Sequence, residues 1–145
     1  MTDSRDSTEI LDTDTCWQLL AGAPVGRLVV WSHPGPDIFP INHVVEHDTI
    51  VFRTGPGSKL DAAVNGPGVA YEADGYDDSA GEAWSVVVRG VAHEVERADE
   101  LADARSLPLF PWEAGYKLRW VRITPERVSG RRFRRTAPEK ERDPG

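Results

Sequence analysis

Cysteine is almost absent from this chain: among 145 residues there is one, Cys16. An intramolecular disulfide and a cysteine zinc cluster are thereby excluded, and a reducing, cytoplasmic setting is expected. Nor is there any run of about 18 apolar residues, and the opening stretch MTDSRDSTEILDTDT has neither the basic nor the apolar segment of an export signal. Neither membrane spanning nor export is expected. His33, His47 and His93 lie near turns or on the long strand and show no metal-ligand spacing among themselves, so no metal site is expected either. No internal repeat is visible. What remains, with 39% hydrophobic residues, is enough for one domain with a substantial core and too little for a second, cofactor-carrying domain.

The net charge of −7 is unevenly spread. Residues 1–116 hold 7 Lys+Arg against 20 Asp+Glu, a balance of −13, and residues 117–145 hold 10 against 4, a balance of +6. Arg127, Arg131, Arg132, Arg134 and Arg135 are open to three readings: a nucleic-acid patch, a solvated last strand running into a tail, or part of the site of an anionic ligand. The acidic body would repel a polyanion and no nucleic-acid reading motif accompanies the arginines, so nucleic acid is not the expected partner.

Short strands with brief helices between them account for the rest. Thr13 or Asp14 caps a helix through Leu20, which Gly22 and Pro24 end. Strands are expected over 26–32, 38–46 and 49–54, joined by Pro-Gly-Pro-Asp at 34–37 and a tight turn at His47-Asp48. A helix over 59–65 and a strand over 68–75 follow. The stretch 83–97 is long and β-branched, with Gly90 in its middle as a bulge or bend. A helix spans 99–107, and strands over 117–124 and 128–133 are split by a turn at Pro125-Glu126. The expected architecture is mainly β with short α-helices, an antiparallel barrel or sandwich in place of a parallel βαβ sheet. Residues 13–134 form the domain, with 1–12 and 135–145 as disordered extensions.

The most informative segment is IFPINHVVEHDTIVFRTGPGSKL, residues 38–60. A β run ends in Arg53-Thr54, Gly55-Pro56-Gly57 turns, and Ser58-Lys59 opens the helix, with Ser58 a possible N-cap. Helix N-terminal N–H groups, a hydroxyl and two cations converge on what suits a phosphate, and the glycines let the backbone approach it. The alternative is an ordinary hairpin-to-helix connection with solvated Arg and Lys. His43 is a weak candidate proton donor, an isolated strand histidine being more often structural. Cys16 has no helper and is expected to be buried and inert. Trp31, Trp84, Trp120 and Phe110 are expected mostly in the core or an interface. Trp112, in an irregular apolar segment, packs across a dimer or lids a pocket, and Lys117 and Arg119 beyond it are candidate anion contacts.

Taken in order, CWQLLAGAPVGRLVV, the strand with FPIN, VFRTGPGSKL and the glycine-bearing WSVVVRGVAHEV resemble the pyridoxamine 5'-phosphate oxidase-like, FMN-binding split-barrel proteins over about residues 14–133. The resemblance is nearest to the short flavin- or deazaflavin-dependent type. It implies a six- to seven-stranded antiparallel split barrel and a homodimer with cofactor sites at the interface. Arg53, Thr54, Ser58 and Lys59 would hold the FMN phosphate, Pro40, Ile41 and Asn42 would run beside the isoalloxazine ring, and Trp84 and Ser85 would reach the flavin from the partner chain. Trp112 and Lys117 would belong to the substrate pocket. The implied function is an FMN-binding oxidoreductase acting on a small organic substrate, the alternatives being a deazaflavin-dependent reductase or a non-catalytic flavin or haem binding protein. The chain is shorter than the true oxidases and lacks the C-terminal Arg and His constellation that grips the pyridoxal phosphate group, which argues against the vitamin B6 reaction.

Overall fold

The computed structural model describes residues 7–109 and 119–134. Along the chain run β1 (Ser7–Ile10), α1 (Thr13–Gly22), β2 (Val25–Ser32), β3 (Gly35–Asn42), β4 (Val44–Glu46), β5 (Thr49–Thr54), α2 (Ser58–Asn65), β6 (Val69–Asp77), β7 (Glu82–Glu94), α3 (Ala98–Arg105) and β8 (Arg119–Arg134). All strand pairs are antiparallel. They form one sheet in the order β3-β2-β6-β7-β8-β5-β4, with β1 on β8 off this path. β3 and β4 stand at opposite ends of that order, yet His43 alone separates them in the chain. The chain itself therefore joins the two edges and curls the sheet on itself, which protects edges that would otherwise offer unpaired backbone groups.

Strand alternation builds the core. β2 turns Leu28 and Val30 inward, β5 Ile50 and Phe52, β6 Val69, Tyr71 and Ala73, β7 Val86 and Val88, and β8 Val121 and Ile123. Cys16, Trp17 and Leu20 of α1 and Leu60 and Ala63 of α2 add to the same cluster. β5 is buried on both faces, because Val51 joins Val95, Ala104, Leu109 and Trp120 in a second cluster under α3. Arg122 fastens that side, reaching Glu46 at 2.8 Å, Thr49 at 2.6 Å and Glu100 at 3.3 Å.

Four local expectations are corrected. The cap of α1 is Asp12, whose carboxylate accepts from the Thr15 N–H at 2.8 Å, one residue before Thr13. Ser7–Ile10, inside the stretch expected as a disordered extension, pairs with β8 from Ser7↔Arg134 to Ile10↔Arg131. The connection after β2 is the two-residue turn His33-Pro34, with Gly35 already in β3, and the expected strand over 38–46 is broken at His43. Finally, Pro125-Glu126 makes no turn. The β7–β8 ladder passes from Arg89↔Arg127 to Gly90↔Pro125, so Glu126 is the extra residue of a bulge and β8 continues unbroken. A proline lacks the N–H of a ladder bond and is tolerated at such a bulge. One strand was added, one was divided and two were fused, giving eight. The turn at His47-Asp48 forms as expected, with φ of 49° and 55° at its two residues.

Candidate functional site

The end of β5, the Gly-Pro-Gly turn and the start of α2 meet as anticipated. Arg53 is half-buried, its guanidinium carbon 5.0 Å from the centroid of Trp120, the residue opposite it in β8. Stacking of this kind restrains a cation without neutralising it. Thr54 is buried. Gly57, with φ at 146°, is the N-cap of α2 and makes no side-chain capping bond, which moves Ser58 from cap to first helical residue. A Cβ at Gly57 would meet nothing within 4 Å, so the approach to the helix start is open. First-turn N–H groups without a capping side chain, at the positive end of an eight-residue helix, are suited to an anion. The arrangement fits a phosphate group.

Pro40, Ile41 and Asn42 close β3, with Pro40 exposed, Ile41 buried and Asn42 half-buried. The β4–β5 ladder opens at Val44↔Val51. Asn42 lies two residues before that pair and Arg53 two after it, so both flank the same end of the hairpin. Trp84 and Ser85 diverge: consecutive strand residues face opposite sides, and Trp84 packs on the main core. Ser85 is paired with Asp74 and Arg131, 11 residues along β8 from Trp120, and is no neighbour of Arg53 within one chain. It does share an outer sheet face with Pro40, which starts the cross-strand row Pro40–Arg27–Glu72–Val87–Ser129.

That row holds a cluster that sequence reasoning missed. Arg27 grips both oxygens of Asp74 at 2.7 Å, and its Nε lies 3.2 Å from an enclosed Glu72 oxygen without an aligned hydrogen bond. Burial, then the hydrogen bond to Asp74 and its charge, push the Glu72 carboxyl up to about 7. Asp74 is held low by the hydrogen bond from Glu72 and by Arg27. Of the two carboxyls, Glu72 is the one that takes up a proton as the pH falls towards 7. The E-x-D spacing was the available signal, since period two sets both carboxyls on one face.

His43 is 7% exposed, and both of its ring nitrogens are engaged: Nε2 lies 2.9 Å from the Leu20 carbonyl and Nδ1 2.5 Å from the Tyr71 hydroxyl. Burial lowers its pKa, so the ring is neutral near pH 7. A carbonyl only accepts, which assigns the ring proton to Nε2 and makes Nδ1 the acceptor from Tyr71. No ring nitrogen is left for a substrate, and His43 is structural in this fold. Cys16 is buried, and burial raises its thiol. Arg119 is ion-paired with Glu94 at 2.8 Å, Arg132 with Glu9 at 3.4 Å and Arg134 with Glu82 at 3.0 Å. Trp120 is buried in the second cluster, whereas Trp31 is exposed. Phe110, Trp112 and Lys117 lie outside the described residues. Among the described residues no group of three or more His, Cys, Asp or Glu could hold a metal ion, and no helix is long and apolar enough to cross a membrane.

An antiparallel sheet curled by its own β3–β4 connection, with a short helix opening directly after β5, defines a split-barrel protein. The chain belongs to the pyridoxamine 5'-phosphate oxidase family, whose model matches residues 12–132. Among solved structures it is similar to the FAD binding protein from Mycobacterium smegmatis, with 44% identity, 88% of this chain and 100% of that one covered, and a TM-score of 0.77. A conserved protein of unknown function from Corynebacterium diphtheriae shares 34% identity over 87% of this chain and 98% of its own, with a TM-score of 0.72. An uncharacterized protein of Mycobacterium tuberculosis is 39% identical over 128 residues, covering 85% of this chain and 84% of the relative.

Proposed function

We propose that this chain is a flavin-dependent oxidoreductase that binds FMN and acts on a small organic substrate. The observation that carries the reading is the uncapped start of α2 behind Gly57, beside the restrained cation of Arg53. Arg53, Thr54, Ser58 and Lys59 hold the phosphate, and the Pro40–Asn42 main chain lies along the ring. Bound flavin supplies the hydride or electron transfer, so the protein's share is binding, orientation and exclusion of water. The similarity to the FAD binding protein from Mycobacterium smegmatis favours FAD as a second reading, since its pyrophosphate would use the same cradle. The deazaflavin coenzyme is the third.

The functional unit is a homodimer, cytoplasmic in keeping with the single reduced cysteine. One feature supports it: Ser85 is remote from Arg53 in one chain, so it serves a cradle only from a second copy. The test is titration of cofactor-stripped protein with FMN, FAD and the deazaflavin coenzyme, followed by absorbance and fluorescence. Tight binding of FMN supports the assignment, a preference for FAD or deazaflavin replaces the cofactor, and binding of none overturns the reading.

A further inference from the structure

We infer that Tyr71 is a positioning residue for the cofactor site, fixing through its hydrogen bond to His43 the junction where β3 hands over to β4. The inference rests on the reading of β3 as the strand beside the flavin ring. The geometry is specific. Tyr71 rises from β6, is fully buried, and crosses beneath Gly26, where a Cβ would come within 2.5 Å of its ring. Gly26 is the cross-strand partner of Ile41. The Tyr71 hydroxyl thus emerges at the seam, 3.1 Å from the Ile41 carbonyl and against His43 Nδ1, with the two rings edge to face at 82°. His43 Nε2 carries the connection on to Leu20 in the last turns of α1.

The β2–β3 ladder runs up to Val25↔Asn42 and the β4–β5 ladder starts at Val44↔Val51, so His43 alone at the seam has no ladder partner. β3 pairs only with β2 and β4 only with β5, and His43 between them is in no strand. The step from one sheet edge to the other is therefore located at His43 by its side chain, whose Nδ1 accepts from the Tyr71 hydroxyl and whose Nε2 donates to the Leu20 carbonyl. A site built on a strand end needs such support, because small displacements of the backbone groups facing a ligand weaken directed contacts. Tyr71→Phe removes one oxygen and leaves the ring in place.

The test compares Tyr71→Phe with Val30→Ala, a core truncation on β2 opposite Asp37 and Val69, away from the seam. Each is titrated with FMN and with FAD, and the visible spectrum of the bound flavin and amide exchange over residues 40–46 are recorded. Both variants should melt lower than wild type. Tyr71→Phe alone should weaken flavin binding, by about three- to tenfold, shift the bound-flavin absorption band and speed exchange at the seam. Wild-type affinity, spectrum and exchange in Tyr71→Phe would overturn the inference, as would equal changes in Val30→Ala. If Tyr71→Phe does not fold, His43→Leu replaces it with the same readings, since it removes the acceptor of the Tyr71 hydroxyl. Wild-type protein that binds neither flavin overturns the cofactor reading itself, before any variant is made.

Discussion

Gly26→Ala is the substitution whose cost the structure specifies most closely. A Cβ at this position falls 2.5 Å from Cε2 and Cζ of Tyr71 and 2.6 Å from its hydroxyl oxygen. Something must move, and Tyr71 is fully buried with its hydroxyl fixed at His43 and Ile41. Overpacking a close-packed core costs about 1–3 kcal/mol. Displacing the hydroxyl strands His43 Nδ1 without its donor, roughly another 1–3 kcal/mol. Against this, alanine stiffens the unfolded chain and recovers about 0.5–1 kcal/mol. The net loss is about 2–4 kcal/mol, or a melting temperature lower by roughly 6–12 °C for a domain of this size. Calorimetry and urea unfolding measure it. A double-mutant cycle with Tyr71→Leu isolates the cause: if the clash is responsible, the alanine costs less when the tyrosine ring is gone. A Gly26→Ala protein as stable as wild type would refute the reasoning, for it would mean that Tyr71 is free to move.

Three further outcomes are expected. Arg53→Ala should keep the fold and weaken FMN binding roughly ten- to a hundredfold, measured by fluorescence titration, and unchanged affinity would place the phosphate elsewhere. Asp12→Ala should lower the urea-unfolding midpoint through loss of the Thr15 cap bond, and an unchanged midpoint would show that the cap contributes nothing. The pH dependence of stability has two opposed parts. His43 has its pKa lowered from 6.5 in the fold, so its contribution is complete above pH 6.5 and is lost as the pH falls below that value. Glu72 is raised from 4.5 to about 7, so its contribution is complete below pH 4.5 and is lost as the pH rises through 7. Glu72→Gln should remove the second part, leaving stability that climbs to about pH 6.5 and then levels; a profile identical to wild type would contradict the raised Glu72 carboxyl.

The legible parts of the fold were those whose determinants are local. Thr49–Thr54 came out at the observed bounds because its alternation sits between a two-residue turn and Gly-Pro-Gly, and the same punctuation marks the start of α2. Pro125 misled because its partner is Gly90, 35 residues away, and only that pairing turns a helix-and-strand breaker into a tolerated bulge. Ser7–Ile10 was hidden for a similar reason: an acidic, polar stretch becomes a strand only where Arg131, Arg132 and the end of β8 lie beside it. His43 could be seen as a strand histidine, but its partner Tyr71 lies 28 residues on, so the seam and its latch had no sequence signature. The carboxyls of Glu72 and Asp74 were readable as one face, whereas Arg27, from another strand, was not.

The central claim is that the β5–α2 junction is built for the phosphate of a flavin nucleotide. The most direct measurement is the ratio of the dissociation constants for riboflavin and FMN on the same stripped protein, because the two differ only by that phosphate. With a helix N-terminus and two cations engaged, FMN should bind at least about a hundredfold more tightly, and the advantage should shrink in Arg53→Ala. Equal affinity for riboflavin and FMN would contradict the account.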